Sequence, residues 1–529
     1  MRDLFRPGRS PMLAPNAAIA TSHPLSTAAG LAVLREGGNA VDAAIAAVAT
    51  QCVVEPAMTG IGGDCFVLYA PAGGEVIALN GSGRAPKAAT VEALKSAGLT
   101  DEIPQMSPHS VTVPGAISAW TKLHADHGSL PLDRLFRDAI AYAESGYPVT
   151  QRVAYDWAKS VDALSQDEGA AAAYLFAGAA PRAGAKVANP ALAATLKAIA
   201  KDGASAFYAG AVAESLVARL KALGGLHTLD DFAAGETVAD YVTPIHANYR
   251  GYDVYECPPN GQGVVALMIL NILEGFDLGP DISEAERVHL HAEATKLAYH
   301  HRDHLIGDID HLPHPTATLL AADTIASLRR RVSRETAQEA TLWTEPEHQD
   351  TVYLCVVDRD GNAVSFINSV FKSFGSARHD PKTGVLLHNR GSSFRLIEGH
   401  PNAIGPNKRP MHTIIPGMLR KDGETVAPFG VMGGHYQAAG QAALLSGIID
   451  RGLDVQAAID APRSFSFDGV LEVEPTIDRE TVGELEALGH AVEPAAGPIG
   501  GAQAIWIDRE AGVLHAGSDP RKDGLALGF

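Results

Sequence analysis

Thr351 stands between two kinds of sequence. Before it runs a polar stretch, RRRVSRETAQEATLWTEPEHQD (329–350), crowded with charges, which reads as an exposed linker. From it runs TVYLCVV, an apolar, β-branched segment that reads as a strand. A threonine opening a strand is ordinary in itself, because β-branched side chains favour strands. It becomes chemically interesting if the linker is cut between Asp350 and Thr351. The freed α-amine, with a reference pKa of about 8, then takes the proton of its own residue's hydroxyl, and nucleophile and general base need no histidine. Attack by that hydroxyl on an amide creates an oxyanion. The segment VMGGHYQ offers Gly433 and Gly434 at an expected strand-to-helix turn, where backbone N–H groups and a helix N-terminus meet one negative charge. A turn that needs glycine for its backbone alone gives the same pattern.

Other chemistries fit less well. The run YHHRDHLIGDIDHLPH gathers His300, His301, Asp303, His304, His311 and His314, with His300 and His304 four residues apart on one helical face. It lacks the HExxH spacing, and no metal is expected. TGIGGD, ending at Asp64, has neither GxGxxG nor GxxxxGK[ST] spacing, and no GxSxG elbow occurs. No cofactor is expected.

The elements that must position these residues can be read from pattern. STAAGLAVLREGGNAVDAAIAAVATQ, from Ser26 to Gln51, predicts two Ala-rich helices split at Gly37-Gly38-Asn39. Cys65 to Asn80 predicts a hairpin turning at Gly73-Gly74, and Gly115 to about Gly235 a largely helical cap that includes a helix ending on Gly146. Helices are expected over Val264 to Leu273 and Ser283 to His304. After Thr351 strands dominate: two joined by an Asp360-Gly361 turn, then GVLLHN, IIPGMLRKDGETVAPFGVMGG, GVLEVEP and AQAIWIDREAGVLHAG, interrupted by helices near His435 to Arg451 and Arg479 to Leu488.

Composition sets the outer limits. The 529 residues are 46% hydrophobic and 19% charged, as in a globular chain with ample apolar residue for a large core. A formal charge of −19 disfavours nucleic acid and anionic membranes as partners. The four cysteines are scattered, without a CxxC pair, and read as buried small hydrophobes. No secretory h-region and no apolar run of about 18 residues is present, so the reading is a cytoplasmic protein.

At this point the chain resembles the γ-glutamyltransferase superfamily of N-terminal-nucleophile hydrolases. STAAGLAVLREGGNAVDAAIAA, PAMTGIGGDCFVL, VTVPGAISAW, AYAESGYPV, CPPNGQGVVALMILNILEGFDL, TVYLCVVDRDGNAVSFINS, GPNKRP, VMGG and GSDPRKDGL follow in the family's order over nearly the whole length. The resemblance implies an α/β (α+β layered) fold, a four-layer αββα sandwich. It implies autoproteolysis into a large subunit (1–350, ending in the linker) and a small subunit (351–529), the pairing of such units being left open. It implies an acyl-enzyme mechanism with Thr351 as nucleophile and Gly433 and Gly434 as oxyanion pair. Ser369 falls where the family has a threonine hydroxyl bonded to the nucleophile.

The substrate positions depart from the family. The arginine that clamps the γ-glutamyl carboxylate falls at Ser82, with Arg84 two residues on and not its equivalent. The orienting Asn and Gln fall at Phe371 and Arg390, the acid that holds the amino group at Ser393, and a serine pair at Met411 and His412. A zwitterionic γ-glutamyl end needs both a cation and an anion. At these positions a cation has appeared and the anion has gone, which favours a small carboxylate-bearing acid amide. The pattern is closer to the oxamate amidohydrolase and glutaryl-cephalosporin acylase branches than to the glutathione-cleaving ones. The alternatives are a γ-glutamyl hydrolase or transferase acting on glutathione, and an unprocessed metabolite-binding relative without turnover.

Overall fold

A computed structural model of the chain describes residues 8–339 and 351–529. Two seven-stranded sheets lie at its centre. The first runs in the order Leu525–Gly528, Ala18–Thr21, Val352–Val357, Ala363–Ser369, Asp64–Ala70, Ile77–Gly81, Asp240–Val242. The second runs Met12–Ala14, Val513–Ser518, Gly501–Asp508, Glu424–Met432, Pro416–Lys421, Tyr252–Glu256, Ile245–Tyr249. Neighbours in both are antiparallel.

The layering follows from the period of two along each strand. In Val352–Val357, residues 352, 354 and 356 face a core shared with the helix Ala40–Val54, while Tyr353, Cys355 and Val357 face Met418, Met432 and Ile505 of the second sheet. A strand buried on both faces cannot alternate polar and apolar residues, and this one does not. The outer face of the second sheet packs on helices Gly263–Leu273, Glu284–Leu305 and Tyr436–Ile449. The result is the αββα sandwich expected from sequence.

Local signals place the elements. Asn39 caps Ala40–Val54 in a capping box with Asp42, whose carboxylate also takes the backbone N–H groups of Ser129 and Leu130. Every residue of that helix is buried, and its alanines leave room for the helices and sheet on either side. The helix Leu132–Ser145 stops at Gly146, whose φ of +85° suits glycine. The hairpin, the helical cap and the Asp360-Gly361 turn also lie where expected, with Gly361 at φ +87°. All four cysteines are buried and free. Strands dominate after Thr351, as expected, and Ala18–Thr21, Ile245–Tyr249 and Tyr252–Glu256, which the sequence pattern does not mark, complete the same two sheets. No helix among the described residues is long and apolar enough to cross a membrane.

Candidate active site

Strand register brings Thr351 to its partner. Val352 pairs with Asn368, so the residue before one faces the residue after the other, and Thr351 Oγ lies 3.3 Å from Ser369 Oγ. Ser369 Oγ accepts the N–H of Phe371 at 2.9 Å, which fixes that hydroxyl's orientation. Gln437 Nε2 approaches Thr351 Oγ at 3.4 Å from the first turn of the helix Tyr436–Ile449. Thr351 is fully buried, as is Ser369. Asp350, the other half of the expected scission point, and the linker from 340 onward lie outside the described residues.

Gly433 and Gly434 leave the strand Glu424–Met432 with φ of +120° and +56°, values that side chains with a Cβ adopt only with strain. The Gly433 carbonyl accepts from Tyr436 N–H at 3.0 Å, and the Gly434 carbonyl from Gln437 N–H at 3.2 Å and Gln262 Nε2 at 3.1 Å. In a trans peptide the N–H points away from the carbonyl. The amides that follow each glycine carbonyl are therefore turned away from the helix that starts at Tyr436. His435 caps that helix without a side-chain hydrogen bond.

Behind the turn lies Arg302, outside the glycine motif itself. Arg302 is fully buried and donates from Nη1 to Gln262 Oε1 at 2.9 Å and to His435 Nδ1 at 2.8 Å, while Nε and Nη2 reach Asp303. Tyr299 donates its hydroxyl to the His435 carbonyl. Gln262 thus joins Arg302 to the Gly434 carbonyl.

Arg390, which the sequence reading puts at the substrate, is fully buried. Its guanidinium carbon lies 3.5 Å from the centre of the Phe371 ring, and Nη2 donates to Thr413 Oγ1 at 3.0 Å. Phe371 is held at φ +79°. Ser393 serves the backbone, donating to the carbonyls of Arg390 and Met411 at 3.0 and 2.8 Å. His412 Nε2 lies 3.0 Å from Asp64 Oδ2, and Asp64 Oδ1 accepts the N–H groups of Gly83 and Gly115. His388 stands 3.5 Å from the same carboxylate. Burial, then the nearby Arg390, pushes the His412 imidazole down to about 3 despite Asp64. For Asp64, burial acts upward, but His388, His412 and the Gly83 N–H outweigh it and hold the carboxyl at about 2. The pair is therefore an ionised acid and a neutral imidazole at pH 7, with the proton on His412 Nε2.

Other expected residues lie elsewhere. Arg84 does not join the group: 31% exposed, it donates to the Asn407 carbonyl at 2.9 Å and faces Asp308 at 3.5 Å, steadying the GPNKRP loop. Ser82 is buried and accepts from Asn260 Nδ2 at 3.0 Å. The rings of His300 and His304 are 4.5 Å apart, but His304 Nδ1 bonds the carbonyl of His300 on its own helix. A different group, His289, Glu293 and His490, has ligand atoms within 4.8 Å of one another. Those atoms are engaged with each other, with Lys296, with the Ser333 carbonyl and with Gln338.

Sequence reasoning missed Asp64, Gln262, Arg302, Thr413 and Gln437. Only Asp64 carried a local signal, an acid opening the otherwise apolar strand DCFVLYA.

A strand-opening threonine beside a glycine turn, at the centre of an αββα sandwich, defines the N-terminal-nucleophile hydrolase class. The gamma-glutamyltranspeptidase family model matches residues 26–529, and the chain belongs to that family. It is 36% identical to a glutathione hydrolase-like YwrD proenzyme of Bacillus subtilis, over 97% of this chain and 98% of that one. It is 37% identical to an oxamate amidohydrolase proenzyme of Klebsiella pneumoniae, over 96% of this chain and 97% of that one. The crystal structure of a cephalosporin acylase from Bacillus halodurans superposes with a TM-score of 0.93 at 38% identity, covering 100% of this chain and 98% of that one. The chain is thus a self-processing amidohydrolase, and its relatives lean towards the acylase and oxamate amidohydrolase branch.

Proposed function

We propose that the precursor cuts itself between Asp350 and Thr351, giving subunits 1–350 and 351–529, and that Thr351 then hydrolyses the amide of a small, carboxylate-bearing acid such as oxamate. In the first step Thr351 Oγ adds to the Asp350 carbonyl, and the peptide bond gives way to an ester that water cleaves. In turnover the freed α-amine takes the Oγ proton as Oγ adds to the substrate carbonyl. The N–H groups of the Gly433–Gly434 turn stabilise the oxyanion. Collapse expels ammonia or an amine, which leaves with the proton, and water releases the acid from the acyl-enzyme. Ser369 and Gln437 hold the attacking oxygen in line.

The observation that carries the substrate reading is Arg390, a buried guanidinium stacked on Phe371 and positioned by Thr413. Such a group pairs with a carboxylate in a water-poor site. Among the described residues, Asp64, the partner of His412, has both oxygens engaged by Gly83, Gly115 and His412, so it offers a substrate ammonium no free oxygen. Glutathione remains the second reading because a glutathione hydrolase-like relative matches about as well as the oxamate one. Parallel assays separate them: the acid-amide reading expects ammonia from oxamate, and release of cysteinylglycine from glutathione without ammonia from oxamate would overturn it. On a denaturing gel, fresh wild-type protein should show two bands and Thr351→Ala one. A single full-length band in both would end the self-cleavage reading and favour an unprocessed binding relative. The cytoplasm is the compartment that suits four free cysteines.

A further inference from the structure

On the outer side of the second sheet, the helix Glu284–Leu305 and the C-terminal end of Tyr436–Ile449 enclose a cavity of about 70 Å³. Arg287, His291, Tyr436, Ser446, Arg451 and Arg463 line it. A space of this size holds a few waters or one small anion, and excludes a nucleotide or a peptide.

Its charges do not balance internally. Arg463 is spent on Asp519, at 2.5 Å, and on the carbonyls of Ile499 and Ile459. Arg287 pairs with Glu284 and bonds the Gly279 carbonyl, yet its Nε is buried without a partner and its side chain is only 9% exposed. Among the described residues the Arg451 side chain makes no hydrogen bond or ion pair. Glu284 lines the cavity and pairs with Arg287, and Asp519 takes Arg463, which leaves Arg451 without a carboxylate partner among the described residues. His291 adds none, because burial and then Arg287 and Arg451 push it down to about 4, and its Nε2 lies 3.0 Å from Ser446 Oγ. Burial and Arg287 also lower Arg451, the electrostatic mark of two like charges confined together. In a chain of net charge −19, a partly buried cation beside the unspent, buried Nε of Arg287 is an arrangement that an anion would complete.

We infer that this cavity binds a small oxyanion, a free phosphate or the carboxylate of a short organic acid, between Arg287 and Arg451, with Ser446 and His291 as further polar neighbours. The site is separate from the acyl pocket and does not depend on the reading of Arg390. The cavity touches the glycine turn through Tyr436, which lines the cavity and gives its N–H to the Gly433 carbonyl.

The test is calorimetric titration of the full chain with inorganic phosphate and, separately, with succinate, in chloride-free buffer at fixed ionic strength. Wild-type protein should show one saturable site for at least one of the two anions, and the tighter of them identifies the ligand class. Arg451→Gln, which removes no side-chain hydrogen bond or ion pair among the described residues, should weaken that binding at least tenfold without lowering the Tm of the anion-free protein, while Arg390→Met should leave it unchanged. No saturable binding of either anion, equal binding by Arg451→Gln, or loss of binding in Arg390→Met alone would overturn the inference.

Discussion

The Arg390 guanidinium lies face-on over the Phe371 ring, 3.5 Å from its centre. The pairing joins two positions that, taken singly, only marked departures from the family pattern. The aromatic face steadies the cation and excludes water from it, and in the proposed reading the charge would meet a substrate carboxylate at low dielectric.

Arg390→Met should therefore raise KM for acid amides about 10- to 100-fold, the effect of losing about 1.5–3 kcal/mol of charge-assisted hydrogen bonding, with little change in kcat. Arg390→Lys should recover only part of the loss, because an ammonium lacks the planar fork. Steady-state kinetics on a panel of acid amides and matched neutral amides checks this, and an equal rise in KM for neutral amides would count against it.

Ser369→Ala removes the hydroxyl that stands 3.3 Å from Thr351 Oγ. The expected result is slower self-cleavage and a kcat lower by about 3- to 10-fold, one neutral hydrogen bond's worth. Ser369→Thr should stay close to wild type. Time-resolved gels and initial rates provide the readout.

Gly433→Ala puts a Cβ 2.8 Å from Gly500 Cα, at a φ of +120°. Strain of about 1–3 kcal/mol and a displaced oxyanion donor should lower kcat by about 100-fold or more. Gly434→Ala, at a φ of +56° within the left-handed helical region, should be the milder change in Tm.

Arg302 acts on the same turn from behind, through Gln262 and His435. Arg302→Met should reduce kcat about tenfold or more while KM stays within a factor of about two, with partial recovery in Arg302→Lys. A fall in Tm with kcat unaltered in the folded fraction would reduce Arg302 to a packing role.

Acid should destabilise the fold well above the carboxylate range. Burial lowers His23 and His227 to about 4, and His412 to about 3. The unfolded chain therefore binds protons at these sites below about 6.5 while the fold does not, and stability falls as pH drops from there. Glu55 acts the other way: burial raises it to about 7, so its contribution is complete below about 4.5 and is lost as pH rises through 7. Thermal melts should show Tm highest near pH 6–7 and a clear drop by pH 5. His227→Gln should flatten the acid side, and an unchanged slope would remove His227 from this account.

The parts legible in sequence are those whose cause is local. Asn39 and Gly146 mark helix ends because capping and left-handed φ are properties of a few adjacent residues. Thr351 and the Gly433–Gly434 turn could be named because a strand start and a glycine pair are short patterns. The Asp64–His412 contact spans 348 residues and Arg302–His435 spans 133, and neither leaves a local trace. The place of Arg84 was out of reach of sequence for the same reason. Two residues from the family position in sequence, it is bound to Asn407 through a loop that sequence spacing does not place.

The strand Val352–Val357 begins one residue after the proposed scission point, yet it is bonded to Ala18–Thr21 on one side and Ala363–Ser369 on the other. Ala18–Thr21 in turn pairs with the last strand, Leu525–Gly528. A cut before Thr351 would leave two polypeptides plaited through common backbone ladders, each lacking inner strands that only the other possesses. Separate genes for the two halves would not be expected to yield soluble partners, and two differently tagged mature enzymes mixed together should not trade pieces. Each active molecule would keep for life the two fragments of a single translation product.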